Sequence, residues 1–381
     1  MENGMGRIEP LTSLRFFAAA YVVFYHTWPA VLGARPSLFG FGYISVSFFF
    51  TLSGYILAVV YLRRDRHLDV RQFYVARFAR IYPLFFATLL FGTPQLLLAR
   101  MQKYGAGAAI AKTAVTFAGN AVMLQAWILQ LFGIDNPNWS LGVETVFYVL
   151  FPFVGVYVWH AFPNRGRAVG AFMAIYVVAM GIVCLCNAST LPLDVVNFNP
   201  LLHLSEFFCG ILIARIQSSL QEATRTFIRR HAVLMALVCL ALFVAITRLN
   251  IPMALFNDGL LVPLFAVVLL TFSSGNRAIE AVFSRPWLVL LGESSYAVYL
   301  IHFPLRDYFV LAGWIRGPLS YLGFLAAVLV LSLASYRLLE TPARRAINRF
   351  FAARSPVEPN PRTAVAEASL TELDLTSRKS V

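Results

Sequence analysis

The sequence predicts an all-α, polytopic integral membrane protein. Of its 381 residues, 59% are hydrophobic and only 13% are charged, whereas about a quarter of the residues in soluble domains are charged. Apolar runs of about 20 residues, the length that crosses a bilayer as a helix, recur along most of the chain. Because a helix satisfies its backbone hydrogen bonds internally, these runs predict transmembrane helices.

Ten segments fit this description, and each is expected to form one span. They are 12–32, 41–62, 76–98, 141–161, 168–187, 200–216, 231–249, 257–274, 288–311 and 318–338. The N-terminus lacks the basic stretch, short apolar run and small-residue cleavage site of a secretory signal. We therefore expect the first segment to be retained as a span.

The apolar segment 108–132 is interrupted by Lys112, Gly119, Asn120 and Gln125, so whether it crosses is decided from loop charge. Basic loops collect on the cytoplasmic side. If 108–132 does not cross, the arginine-rich regions share one side: Arg63–Arg71, Arg165–Arg167, Arg215–Arg230, Arg277–Arg285, and Arg344, Arg345, Arg349 and Arg354. The sequence therefore predicts about ten crossings, both termini cytoplasmic, and an interfacial or re-entrant segment at 108–132.

The net charge of +13 comes from these loops, which predicts anionic lipid headgroups rather than nucleic acid as partners. Residues 1–350 are expected to form one membrane-embedded domain. Residues 351–381 are polar and contain three prolines, which predicts a disordered cytoplasmic tail. The four cysteines lie in apolar stretches without metal-ligand spacing, so buried thiols and no metal site are expected.

The first span carries two groups that are costly in hydrocarbon, Arg15 and His26. Ionisable residues inside membrane helices usually face the bundle interior and serve a function. Eleven residues return to nearly the same azimuth, so both side chains share one face about 16 Å apart along the axis. A satisfied core histidine is the alternative to a catalytic one.

The second and third spans carry small and basic residues. Ser53 and Gly54 allow close helix packing, although Ser53 also has the hydroxyl of a nucleophile. Arg77 and Arg80 lie three residues apart on one helical face. They either fix the topology as snorkelling cations or form a fork for phosphate groups, which suits the planar guanidinium.

The fourth span opens with Trp139, expected at the membrane interface, and with Ser140, a candidate N-cap. Glu144 lies in the first turns, where the helix dipole favours a carboxylate, and Tyr148 follows four residues later on the same face. Glu144 either supports the helix end or lies level with His26 as its orienting or acid–base partner.

The ninth span carries a polar stripe at three-and-four spacing, formed by Ser295, Tyr299, His302 and Arg306. Such a stripe on an apolar helix is expected to face the bundle interior or a wet cavity. At the end of the last span, Glu340 lies among arginines, which predicts ion pairing at the interface.

Together these segments resemble the acyltransferase-3 family of bacterial integral-membrane O-acyltransferases. The resemblance rests on Arg15 with ten residues between it and His26, and on the motifs FFFTLSGY, RFARIYP, WSLGVETVFYVLFP, SYAVYLIHFP and YRLLETP. They occur in family order from about Leu11 to Arg349. One departure is LLHLSEFFCG, since family members often have arginine near the position of His203.

The resemblance implies that an acyl-CoA, most simply acetyl-CoA, enters from the cytoplasm as co-substrate and that no cofactor is tightly bound. The acceptor would be a hydroxyl of a cell-surface or exported carbohydrate or glycolipid. It assigns Arg15, His26 and Glu144 to catalysis and Arg77 and Arg80 to the acyl donor. It further implies the bacterial inner membrane as location, and acyl transfer completed without an additional hydrolase-like domain.

The mechanism expected from these residues has the pantetheine arm entering past Arg77 and Arg80 while His26 deprotonates the acceptor. Glu144 or His302 would orient His26 or the acceptor, with Ser53, Trp139, Tyr148 and Tyr299 as supporting polar residues. A covalent acyl-enzyme remains open. The alternative function is a transporter or flippase for a polysaccharide or lipid-linked sugar, which predicts inverted repeats and paired broken helices that the sequence does not show.

Overall fold

The computed structural model describes residues 8–32, 40–62, 68–128, 131, 133–189, 191–249 and 251–352. These residues form helices and their connections, without a strand. The helices are α1 (Glu9–Leu32), α2 (Ile44–Leu57), α3 (Val70–Tyr104), α4 (Ala106–Ala121), α5 (Trp139–Leu150), α6 (Val156–Ala161), α7 (Arg165–Ala188), α8 (Leu193–Phe198), α9 (Leu204–Ser218), α10 (Glu222–Ile246), α11 (Met253–Asn257), α12 (Val262–Phe272), α13 (Arg277–Phe283), α14 (Pro286–Glu293), α15 (Ser295–Leu311), α16 (Pro318–Ser335) and α17 (Thr341–Ala352). Three π-helical turns (Ala58–Leu62, Phe151–Gly155 and Tyr336–Glu340) and one 3₁₀ turn (Asn136–Asn138) complete the set.

Seven helical segments of the described chain are long and apolar enough to cross a membrane. They are Ile44–Leu62, Val70–Tyr104, Asn136–Ala161, Arg165–Ala188, Glu222–Ile246, Met253–Phe272 and Pro318–Phe351. An eighth arises if α14 and α15, which meet at a bend of 54°, count as one span. The all-α, multi-pass membrane fold is therefore confirmed, while the ten crossings and the side of each terminus stay predictions.

The observed helices differ from the predicted spans mainly in length. The third span, predicted at 76–98, belongs to the 35-residue helix α3, which is about 52 Å long and so exceeds the bilayer core. Segment 108–132 includes all but the first two residues of the 16-residue helix α4 and then turns, with residues 129, 130 and 132 outside the described part. At about 24 Å, α4 is shorter than a typical span, which agrees with an interfacial or re-entrant segment.

Some predictions fall on residues outside the described chain. These are residues 63–67 of the first basic loop and residues 353–381 of the tail. The expectation of buried thiols is correct for Cys209 and Cys239, but Cys186 is half-buried and Cys184 is exposed. Cys184 lies near the end of α7, most of whose side chains face away from the bundle.

Glycines bring the helices around the first two spans into backbone contact. A Cβ added to Gly54 would lie 2.0 Å from the carbonyl oxygen of Phe207, and one on Gly210 would lie 2.1 Å from that of Thr51. Since no side chain fits there, α2 and α9 pack at the close distance that small residues allow. Gly292 of α14 approaches the Thr12 carbonyl oxygen of α1 in the same way. The start of α1 is thereby held against α14.

Candidate active site

A cavity of about 220 Å³ lies among α1, α2, α3, α5 and α15. We call it the arginine cavity. Most of the site residues predicted from the sequence line it. They are Arg15, Ser53, Arg77, Arg80, Glu144, Tyr148 and Tyr299. His26, Trp139 and His302 lie outside this lining. The structure thus brings together residues from five helices, and no single helix forms the site.

Aromatic rings hold Arg77 at the wall of the arginine cavity. Its guanidinium carbon lies 5.6 Å from the ring centre of Tyr61 and 5.8 Å from those of Phe73 and Tyr148. Nη2 donates to the Tyr61 hydroxyl at 3.2 Å, while the buried Nε has no hydrogen-bond partner among the described residues. Such stacking orients a guanidinium plane and leaves donors for an anion.

Arg15 and Arg80 add two further cations to the same cavity. Neither side chain forms a hydrogen bond or an ion pair within the part of the chain that the structure describes. Glu340 interacts electrostatically with both arginines, although the ion pairing predicted for it is not seen as a direct contact among the described residues. The cavity therefore concentrates positive charge in a water-poor place, an arrangement that favours an anionic ligand.

Glu144 lies in the arginine cavity, and the expectation that it lies level with His26 is wrong. The Ser53 hydroxyl donates to its Oε1 at 3.3 Å, and the Tyr148 hydroxyl donates to the same oxygen. The physical reason is the depth at which α5 begins, because Pro137 and Asn138 before it are already buried. Glu144, more than one turn further along, is carried towards the arginines.

Trp139 is a core residue rather than an interface anchor. Only 7% of its surface is exposed, and its ring lies 4.9 Å from Phe198, 5.3 Å from His203 and 6.0 Å from Phe50, measured between ring centres. The prediction of a membrane-interface position fails for the same reason as that for Glu144. The start of α5 is enclosed by α2, by the end of α8 and by the residue that precedes α9.

Tyr299 closes the end of the arginine cavity that is nearest to His302. Its hydroxyl lies 2.7 Å from the Ser140 hydroxyl and donates to the Pro137 carbonyl oxygen at 2.7 Å. Ser140 therefore does not act as an N-cap but ties α5 to α15. His302 lies one helical turn beyond Tyr299, with a distance of 6.1 Å between the ring centres.

His26 and His302 form a pair beyond Tyr299, with 3.0 Å between Nδ1 of His26 and Nε2 of His302. His302 is fully buried, and its Nδ1 lies 3.2 Å from the Val298 carbonyl oxygen. A carbonyl can only accept, so in neutral His302 the proton is on Nδ1 and Nε2 accepts from His26. The neutral His26 ring then has its lone pair on Nε2, the arrangement required of a general base.

Arg306 fastens α1 to α15 beside this pair. Its Nη1 donates to the His26 carbonyl oxygen at 3.2 Å, and its Nε and Nη2 donate to Asp307. The guanidinium also lies 3.8 Å from the ring centre of Phe303. Ser295, Tyr299 and His302 are buried, so the predicted interior orientation of this polar stripe is confirmed.

The shared face of Arg15 and His26 is confirmed by their contacts. Both residues belong to the uninterrupted helix α1, and both point towards α15. Arg15 faces Tyr296 and Tyr299 across the arginine cavity, while His26 contacts His302. The separation of about 16 Å along α1 therefore runs from the arginine cavity to the histidine pair.

His203 lies in a separate buried network rather than in the arginine cavity. Its Nδ1 is 2.9 Å from Glu206 Oε2 and 3.6 Å from Asp258 Oδ1, and its Nε2 is 3.0 Å from the Asn197 carbonyl oxygen. Ser47 also donates to Glu206. These contacts join α2 and α9 to α8 and to the residue that follows α11, so this histidine holds helices together.

Sequence reasoning missed three residues that shape the site. Tyr61 orients Arg77 from the π-helical turn after α2, and Tyr296 lines the arginine cavity. Asp135 lies just before the Asn136–Ala161 segment, and both of its carboxylate oxygens are buried without a hydrogen-bond partner among the described residues. No spacing pattern within a single helix points to these three residues, since their places in the site depend on how separate helical segments pack.

Asp135 leads to a pH-dependent prediction. Burial, and next the nearby Asp307, raise the pKa of its carboxyl well above the usual range, while Arg306 lowers it. The folded protein thus holds a proton that the unfolded chain releases near pH 4, so stability falls as pH rises from there through the raised pKa. We expect Asp135→Asn to unfold at a higher temperature than the parent at pH 8 and at an equal temperature near pH 4, measured by thermal unfolding in detergent. If the unfolding temperatures of the variant and the parent differed by the same amount at both pH values, the prediction would be wrong.

Comparison with known proteins agrees with this arrangement. The family model described as an acyltransferase domain matches residues 10–337. The acyltransferase MdmB of Streptomyces mycarofaciens is 27% identical over 397 residues, covering 95% of this chain and 97% of that protein. The O-acetyltransferase OatA of Staphylococcus aureus is 24% identical over 360 residues, covering 88% of this chain and 57% of OatA.

No solved structure matches the chain. The family match extends from the beginning of α1 to the π-helical turn that contains Glu340, and so includes every residue of the arginine cavity except Ile8 and both members of the histidine pair. The chain belongs to the acyltransferase-3 family and is a multi-pass membrane acyltransferase.

Proposed function

We propose that the protein transfers an acyl group, acetyl in the first instance, from cytoplasmic acyl-CoA to a hydroxyl of a cell-surface or exported glycan. The observation that carries this proposal is the adjacency of two chemically different sites along α1 and α15. The arginine cavity suits a phosphorylated donor, and the histidine pair suits a hydroxyl acceptor. The relatives named acyltransferase and O-acetyltransferase support the reaction type. The proposed location is the bacterial inner membrane.

The donor half rests on the three arginines. In the topology predicted from loop charge, Arg15, Arg77 and Arg80 lie towards the cytoplasmic side. CoA carries its phosphates at the end remote from the thioester, and guanidinium groups bind phosphate in a bidentate manner. The phosphates would contact Arg77 and Arg80, and the pantetheine arm would pass Ile56 and Leu57 towards Tyr299.

The transfer step itself needs one base and one group that stabilises negative charge. His26 Nε2 takes the proton of the acceptor hydroxyl as its oxygen attacks the thioester carbonyl carbon. The carbon–sulfur bond then breaks, and the CoA sulfur leaves as thiolate and takes up the proton as the thiol. The hydroxyls of Tyr299 and Ser140 donate within the protein in this structure, and in the proposed step one of them turns to donate to the developing oxyanion. His302 keeps His26 in the basic tautomer.

A covalent route is the alternative mechanism within the same function. Ser53 donates to Glu144 at 3.3 Å, so this serine has a carboxylate beside its hydroxyl, which its local sequence does not supply. Acyl transfer to Ser53 would be followed by transfer to the acceptor. We favour direct transfer because the His26 base lies on the far side of Tyr299 from Ser53.

The experiment is acyl transfer by the purified full-length protein in lipid nanodiscs. Radiolabelled acetyl-CoA is supplied with an extract of the organism's glycans, and labelled glycan and free CoA thiol are measured together. We expect both products in equal amounts. A transporter or flippase would produce neither, and that result would overturn the proposal. Glycan mass spectrometry of a deletion strain then identifies the acceptor from the mass that is lost.

A further inference from the structure

A second and larger cavity lies on the other side of α1. It measures about 790 Å³ and is bounded by α1, α2, α10, α12 and α13, and we call it the side cavity. Apart from the hydroxyls of Tyr21 and Ser45 and the thiol of Cys239, its lining is hydrocarbon. Its volume lies within the range of about 300–1,000 Å³ that is typical of ligand sites. Protein interiors are otherwise closely packed, so we expect a ligand to fill a space of this size.

The side cavity opens towards the membrane hydrocarbon. Among its lining residues, Leu237 of α10 is 59% exposed and Val282 of α13 is 54% exposed. Both are apolar, and α10 is a membrane-spanning segment. An occupant can therefore enter sideways from the bilayer without crossing a polar surface. This favours a lipid chain over a water-soluble ligand.

Arginine residues cluster where α10 and α13 meet, just beyond one end of the side cavity. Asn276, the N-cap of α13, donates to the Arg229 carbonyl oxygen of α10 at 2.8 Å, which joins the two helices there. Arg277 opens α13 next to that contact and is followed at once by the lining residues Ala278 and Ile279. A pocket of about 80 Å³ at the first turns of α10 is lined by Arg225 and Arg229.

Acidic residues are fewer at this end. There are two on these helices, Glu222, which lines the small pocket, and Glu280 on α13. The arginines number five: Arg225, Arg229 and Arg230 on α10, Arg277 on α13, and Arg285, which precedes α14. Arg285 donates from Nε to the Ala281 carbonyl oxygen and so remains beside α13. The basic excess complements an anionic headgroup, and basic juxtamembrane clusters attract anionic lipids.

We propose that the side cavity binds an anionic diacyl phospholipid of the membrane. Its acyl chains occupy the space between α1 and α10, and its phosphate lies at the arginines where α10 and α13 meet. In the predicted topology this end faces the cytoplasm, so the lipid comes from the cytoplasmic leaflet. The site is separate from the arginine cavity and does not depend on the proposed function.

Such a lipid would support the helix that carries both Arg15 and His26. Leu14, Phe17 and Tyr21 line the side cavity, while Arg15 and His26 point to the opposite neighbours of α1. One face of α1 packs on α14 and α15, and the acyl chains of the lipid would pack against its other face. Loss of the lipid is therefore expected to lower the unfolding temperature.

The first test fills the cavity. Ala236→Trp places an indole in the lining, whereas Leu234→Trp on the same helix lies outside it and is 60% exposed. Native mass spectrometry after mild extraction should show one retained phospholipid in the parent and in Leu234→Trp, and none in Ala236→Trp. Ala278→Phe repeats the filling from α13 in case Ala236→Trp does not fold. Equal retention in all four proteins would overturn the proposal, and so would retention of an isoprenoid lipid in place of a phospholipid.

The second test addresses the headgroup. Adding phosphatidylglycerol to the protein in phosphatidylcholine micelles should raise the unfolding temperature, while added phosphatidylcholine should not. Arg229→Gln and Arg277→Gln should each weaken the phosphatidylglycerol effect by about fivefold in apparent affinity, as expected for removing one basic residue near an anionic lipid. Arg165→Gln, an exposed residue of α7, is the matched control. An equal response to both lipids, or equal loss in the control, would overturn the anionic assignment. Neither readout involves acyl transfer.

Discussion

Replacement of His26 by alanine is expected to reduce acyl transfer by about 10²–10⁴-fold, the usual contribution of a general base. The reason is geometric. Nδ1 of His26 is engaged with His302 at 3.0 Å, and His302 is in turn fixed by the Val298 carbonyl oxygen, so Nε2 is the nitrogen left with basic character. Without the imidazole, the acceptor hydroxyl must attack with its proton in place. The rate of labelled acetyl transfer to glycan in nanodiscs measures this loss.

The matched control is His160→Ala. His160 is an exposed histidine at the end of α6, and its replacement should leave the rate unchanged. The unfolding temperature of each variant shows whether the fold is retained. Because His26 contacts the donor in neither mechanism, the KM for acetyl-CoA should stay near that of the parent. Full turnover by a folded His26→Ala protein would rule out His26 as the base.

The fold was largely predictable because hydropathy follows the membrane environment directly. Each predicted span coincides with a helix or a pair of helices in the structure. The internal breaks were not predictable. The bend of 54° between α14 and α15 falls at Glu293 and Ser294, where the chain has no proline. Hydropathy averaged along the sequence shows only that the segment formed by α14 and α15 is apolar, and it does not show where that segment bends. The bend depends on what the two halves pack against.

The features of the site that depend only on residue spacing within one helix were predictable. The spacing of Arg15 and His26 gave their shared face because helical periodicity is local. The predicted depth of Glu144 was wrong because it depends on the buried turn Asn136–Asn138. The sequence of α5 alone does not indicate that this turn is buried. The contact of Tyr61 with Arg77 joins residues sixteen positions apart across a loop. Such contacts between separate helical segments can be identified only when the packing of the helices is known.

Removal of the two cations of α3 is expected to weaken donor binding rather than chemistry. In the Arg77→Gln, Arg80→Gln double variant, the KM for acetyl-CoA should rise by about tenfold for each guanidinium lost, the effect of a hydrogen bond to a charged group. The kcat should fall much less, since neither arginine reaches the thioester in the proposed arrangement. Arg77→Lys should retain only part of the affinity, because a lysine lacks the planar fork that the rings of Tyr61 and Tyr148 orient.

A shortened donor separates phosphate recognition from a general structural effect. S-acetyl-pantetheine carries the same thioester without the phosphates of CoA, so its kcat/KM should be the same in the parent and in the double variant. Only the advantage of acetyl-CoA over this donor should disappear. Arg167→Gln, an exposed arginine of α7, should keep that advantage. If the double variant lost activity equally with both donors, the arginines would act by supporting the cavity, and the assignment of Arg77 and Arg80 to the CoA phosphates would fail.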